Sequence, residues 1–185
     1  MTHTEPLPRP WEPPPGWPAA TAARVFALAM ALGDLLHGRE WAGGVVLLGL
    51  VLLAAVYSSA DLNLPMPLTR VLPVTEGILV TALLLAGGTT YPAAALGYLA
   101  VPPIVAGLRA GAVSTVTTAL AIALTAALSS LAGNAGEIPT GLVTVWLVIG
   151  TVLGLAAAGW AMVVRVRRRV AALAPDEGGN GTAAA

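Results

Sequence analysis

Residues 42–60 read AGGVVLLGLVLLAAVYSSA, an apolar stretch without a single charge. A helix needs about 20 mostly apolar residues to cross the roughly 30 Å hydrocarbon layer of a bilayer. This stretch meets that length, and in lipid its backbone donors and acceptors are satisfied most simply within a helix. Residues 112–132, rich in Ala, Leu and Thr, repeat the pattern, again without a charge. Working outward from these two, residues 20–36, 71–87, 92–108 and 141–164 are further apolar segments of spanning length. The last carries Trp146 and Trp160 near its ends, as an aromatic belt would. The first is the weakest, because only Val25 to Gly33 is uninterrupted between Arg24 and Asp34. It is either a short span or an interfacial helix. A signal peptide is a poor reading, since His37, Gly38, Arg39 and Glu40 follow Leu36 in place of a small-residue cleavage site. The long Ala- and Leu-rich runs do not alternate as barrel strands must. The expectation is an all-α polytopic transmembrane helix bundle of about six spans, with five as the alternative. Its connections are short, so consecutive helices are neighbours.

The whole composition agrees. Of 185 residues, 57% are hydrophobic and only 10% are charged, where a soluble domain carries about 25% charged residues. Mean hydropathy is +0.82. There is no cysteine, and His3 and His37 are the only histidines. Disulfides, thiolate metal sites and cysteine nucleophiles are therefore excluded. Net charge is zero, which gives no global attraction to nucleic acid. Residues 1–18 hold seven of the fifteen prolines and read as an extended cytoplasmic tail, with Trp11 and Trp17 docked at lipid headgroups. Residues 19–164 form the bundle. Residues 165–185 form a basic juxtamembrane helix and a Gly/Ala-rich end.

With six spans, one side of the membrane holds Arg9, Arg24, Arg70, Arg109, Arg165, Arg167, Arg168 and Arg169, and the other only Arg39. The positive-inside rule then places both termini in the cytoplasm and the protein in the plasma membrane. With five spans the C-terminus remains inside.

Few residues suggest chemistry. Glu76 lies about six residues inside the third helix, where an acid is costly unless it meets protein or water. It is a candidate intramembrane switch, or it pairs locally toward Arg70. Pro102 and Pro103 interrupt the fourth helix, and a kink there would make a hinge. Arg165, Arg167, Arg168 and Arg169 form a basic stop that attracts anionic lipid. Asp61 and Arg70 read as interfacial stops, and Asp34 with His37 as a solvated helix end. Gly107 with Gly111, and Gly150 with Gly154, are small-residue pairs that permit close helix contact. The second pair bears on self-association. No phosphate loop, nucleophile elbow, paired carboxylates or metal-ligand spacing is present, so no cofactor and no catalytic residue is assigned.

Leu84-Leu85-Ala86-Gly87-Gly88-Thr89-Thr90-Tyr91-Pro92, then Tyr98-Leu99-Ala100-Val101-Pro102-Pro103, then Ala106-Gly107-Leu108-Arg109-Ala110-Gly111 resemble the membrane input region of actinobacterial-type sensor histidine kinases. The resemblance covers roughly residues 70–173. It implies a sensor portion that signals through its last helix, as a homodimer, to a cytoplasmic kinase module or response regulator. The phosphoacceptor histidine and ATP-binding domain of that family are absent, so the resemblance implies no kinase activity in this chain itself. Two other readings compete. One is a small transporter-like protein similar to the substrate-binding membrane subunit of a vitamin importer, using Asp34, His37, Trp41, Tyr91, Asn134 and Glu137. The other is a membrane anchor whose tail recruits a partner.

Overall fold

A computed structural model describes residues 16–38, 43–63, 66–87, 93–131 and 140–173. Every regular element among them is helical. Helix α1 is Trp17–Gly38 and α2 is Gly43–Asn63. A single turn, α3, at Met66–Thr69 leads into α4, Leu72–Ala86. A 3-10 segment at Ala93–Ala100 passes directly into α5, Val101–Ala110. Helices α6, Ala112–Leu131, and α7, Thr140–Leu173, complete the bundle. Five helices are long and apolar enough to cross a membrane: Trp17–His37, Gly43–Asn63, Ala93–Ala110, Ala112–Leu131 and Thr140–Ala171. The all-α polytopic expectation holds.

Two of the expected spans differ in instructive ways. The doubtful first segment is a full helix of 22 residues. It gains length because it starts at Trp17, with Pro18 in its first turn, where the missing proline N–H costs nothing. Trp17 is therefore part of the bundle: its indole Nε1 donates to the Ser58 carbonyl at 3.1 Å. Trp11 lies outside the described residues. The third segment, expected over 71–87, is a helix of 15 residues. At 1.5 Å per residue it is about 22 Å long, short of the hydrocarbon thickness.

The central element is Ala93–Ala110, of which 67% is buried against 17–33% for the other four spans. Its residues Ala95, Leu96, Tyr98, Leu99, Val101 and Val105 form the middle of the core, with Leu50 and Ala54 of α2, Val80 and Leu84 of α4, and Ile122 of α6. Trp146 packs against this core beside Gly97 and is half-buried, while Trp160 is exposed.

Glycines set the closest approaches. A methyl group on Gly107 would overlap the Gly154 carbonyl, and one on Gly154 would overlap the Pro103 carbonyl. One on Gly150 would meet the Ala100 backbone. Helices α5 and α7 thus run parallel with their main chains in contact. Gly150 and Gly154 are used inside the chain, which corrects their reading as a self-association motif. Gly111 follows α5 with φ of +91° and nothing near it; its role is the turn into α6.

Candidate functional site

Four of the short-linked helices alternate in direction, so the start of α1, the end of α2, the start of α4 and the end of α5 lie at one end of the bundle. Each contributes an ionisable residue there: Arg24, Asp61, Glu76 and Arg109. The structure brings all four together. Arg24 Nε donates to Glu76 Oε1 at 2.8 Å and Nη2 to Glu76 Oε2 at 2.7 Å. This is the side-on fork that matches a guanidinium to a carboxylate. Arg24 Nη1 reaches Asp61 Oδ2 at 2.8 Å and the Ser58 hydroxyl at 3.3 Å. Arg109 Nη1 donates to the other Asp61 oxygen, Oδ1, at 2.6 Å. The Tyr98 hydroxyl donates to Glu76 Oε1 at 3.1 Å.

The cluster is dry. The side chains of Arg24, Asp61 and Glu76 are at most 1% exposed, and Tyr98 is fully covered. Two guanidinium groups face two carboxylates, so the formal charge sums to zero. Burial of any one of these ions alone would be costly, and only the mutual pairing makes it tolerable. A second polar pair lies beside it: the Tyr57 hydroxyl donates to Thr75 Oγ1 at 3.0 Å, and Thr75 donates to the Leu72 carbonyl at 3.0 Å. Nε and Nη2 of Arg109 are buried and carry no hydrogen bond. That is the same edge with which Arg24 grips Glu76.

These contacts revise the sequence readings of single residues. Glu76 does not pair toward Arg70, which is exposed; it is locked to Arg24. Asp61 is not an interfacial stop but the bridge between two arginines. Pro102 and Pro103 are buried at the junction where the 3-10 segment becomes α-helix. Neither can donate an N–H, so the tighter winding ahead of them keeps the chain helical instead of ending it. Pro102 lies against Gly77, the neighbour of Glu76, and the Pro103 carbonyl faces Gly154. Arg165 turns its Nε back to the Ala161 carbonyl at 3.1 Å, and Arg167, Arg168 and Arg169 are exposed on the same helix.

At the opposite end, Asp34 is not merely solvated. Its carboxylate accepts the Ala94 N–H at 2.9 Å, placing a negative charge at the start of the 3-10 segment where helix dipoles favour one. Of the residues expected to form a transporter pocket, Trp41, Tyr91, Asn134 and Glu137 lie outside the described residues. Among the described residues no group of histidine and acidic side chains is arranged to hold a metal ion.

Chemically the cluster is a latch. Both Glu76 oxygens are held by N–H or O–H donors. What it can do is tie four helices at one level and release them together. No family model matches the chain, and neither does any curated protein or solved structure.

Proposed function

We propose that this protein is the membrane-embedded input module of a bacterial two-component-type signalling system. The observation that carries the reading is α7. It is one unbroken helix of 34 residues, about 51 Å long, so it outruns the hydrocarbon layer by about 20 Å. Its middle is clamped to α5 by main-chain contacts at Gly150 and Gly154. Residues 165–171 stand exposed beyond the bundle. A rod held in the membrane at one point and free outside it passes a shift of α5 to whatever lies at its far end.

The charge latch supplies the bistable part. Glu76 reaches α7 through Gly77, Pro102, Pro103 and Gly154, each in contact with the next or adjacent in sequence. Arg70 and the four arginines of α7 lie at the same end of the bundle as the latch, and the positive-inside rule assigns that end to the cytoplasm. The plasma membrane is the proposed location. The proposed assembly is a homodimer along the outer face of α7, where Val145, Val148, Val152, Leu155, Met162 and Val166 recur at heptad spacing and are all exposed. Its proposed partner is a cytoplasmic kinase module.

The chain has no cysteine, so single cysteines placed at Val166 and Val170 report on α7 without background. In membranes holding the full chain, a disulfide-linked dimer is expected at one of the two positions. Glu76→Gln, which weakens the latch at constant size, is expected to change the relative extent of cross-linking at the two. Absence of dimers at both, or an identical pattern with and without Glu76→Gln, would overturn the proposal.

A further inference from the structure

Helix α4 is the short member of the bundle, with 15 residues. Between the outer parts of α4, α6 and α7, at the end remote from the charge latch, lies a groove of about 220 Å³. Its floor is Leu84 and Leu85 of α4 with Leu96 and Leu99 of the 3-10 segment. Its walls are the small residues of α6, Ala123, Ala126 and Ala127, and the first two turns of α7. Ala123, Ala127, Ser130 and Thr144 are exposed, so the groove opens sideways between α6 and α7. At the level of the latch the same two helices touch, through Thr115 and Gly154.

The chemistry of the lining identifies the occupant. Among the described residues, no charged one borders the groove. Three of its hydroxyls are already spent on their own helices: Thr81 donates to the Gly77 carbonyl at 2.7 Å, Ser130 to Ala126 at 3.0 Å and Thr144 to Thr140 at 2.8 Å. A polar ligand would find these donors engaged. A void of this size is larger than the engineered apolar cavity that stays dry and admits benzene, and its unfilled walls would forfeit dispersion contacts. The sides of a bundle of spanning helices face hydrocarbon, and the groove opens on such a side.

We infer that the groove is a binding site for one acyl chain of a bilayer lipid, which acts as a spacer between α6 and α7. The site holds independently of the signalling proposal, since it rests on the groove alone. In lipid, apolar groups gain nothing by leaving other apolar groups, so the selectivity comes from shape and packing. Small side chains make the groove, and large ones would close it.

The test uses the full chain in phosphatidylcholine vesicles containing a minor fraction of phosphatidylcholine with a diazirine in one acyl chain. After photolysis, labelling is mapped by mass spectrometry. Preferential labelling of Ala123, Ala127 and Thr144 over Leu120, Leu124 and Leu128, which are also exposed, is expected. Ala126→Phe and Ala127→Phe are each expected to reduce groove labelling to the level of those leucines, while Leu124→Phe, on the outer face of α6, leaves it unchanged. Two alternatives keep the result interpretable if one variant fails to fold. Equal labelling of groove and outer leucines in the unaltered chain would overturn the inference. So would protection of the groove by a second copy, seen as interchain cross-links at Ala127→Cys.

Discussion

Arg24→Met is the sharpest perturbation of the latch. Arg24 makes four side-chain hydrogen bonds there, three of them to carboxylates at 2.7–2.8 Å. Without it, Asp61 retains Arg109, but Glu76 keeps only the Tyr98 hydroxyl, and the cluster carries one uncompensated negative charge. Removing one partner of a buried pair costs about 3–5 kcal/mol, whereas an exposed pair is worth about 0–1. Adding Glu76→Met removes the orphaned acid and leaves Arg109 with Asp61, again neutral. Apolar replacement of a whole buried pair is often close to neutral, so the double variant is expected within about 2 kcal/mol of the native chain. The two changes therefore couple by at least about 2 kcal/mol, well above the ~0.5 kcal/mol scatter of additive sites. Reversible unfolding in mixed micelles titrated with SDS, followed by tryptophan fluorescence, gives all four corners of the cycle. A loss under about 1 kcal/mol for Arg24→Met, or strictly additive losses in the double variant, would refute the buried-latch argument.

Other outcomes follow from the same geometry. Tyr98→Phe removes one donor from Glu76 and is expected to cost about 1.5–3 kcal/mol, the range for a hydrogen bond to a charged group, in the same unfolding assay. Gly107→Ala forces a methyl group into the Gly154 carbonyl and is expected to destabilise by about 1–3 kcal/mol or more. Gly159→Ala, whose new methyl meets nothing within 4 Å, is expected to stabilise by up to about 1 kcal/mol through helix propensity. Asp34→Ala removes the acceptor for the Ala94 N–H; a cost of about 0.5–2 kcal/mol is expected. Hydrogen exchange should show that loss at the start of the 3-10 segment, with the latch unaffected.

The bundle was legible because hydrophobic length is a local property. Residues 42–60 and 112–132 declare themselves, and their helices in the structure are Gly43–Asn63 and Ala112–Leu131. The latch was not legible residue by residue, because Arg24, Asp61 and Arg109 each sit near an apolar boundary and look like ordinary helix-end charges. Their partners are 37 to 52 residues away. A signal was present in their order. Alternating helix direction puts a basic, an acidic, an acidic and a basic residue at the same end of α1, α2, α4 and α5, with charges that cancel. Reading Glu76 with its sequence neighbours hid that sum. The winding change at Pro102 was equally hidden: a missing N–H predicts a disturbance, but the packing of Gly77 and Gly154 on either side decides its form.

The latch also imposes an order on biogenesis. Arg24 leaves the ribosome 52 residues before Glu76 and 37 before Asp61. Until those arrive, α1 presents an unneutralised guanidinium to the insertion machinery, at up to about 2.5–3.5 kcal/mol for an arginine at mid-membrane. During that interval the same charge resists drawing the start of α1 deeper into the hydrocarbon. Once α4 emerges, the orienting charge is sealed away, and α1 becomes secure only as part of a set. Insertion of this chain is thus cooperative across α1, α2, α4 and α5, with Arg24 first a burden and then a bolt.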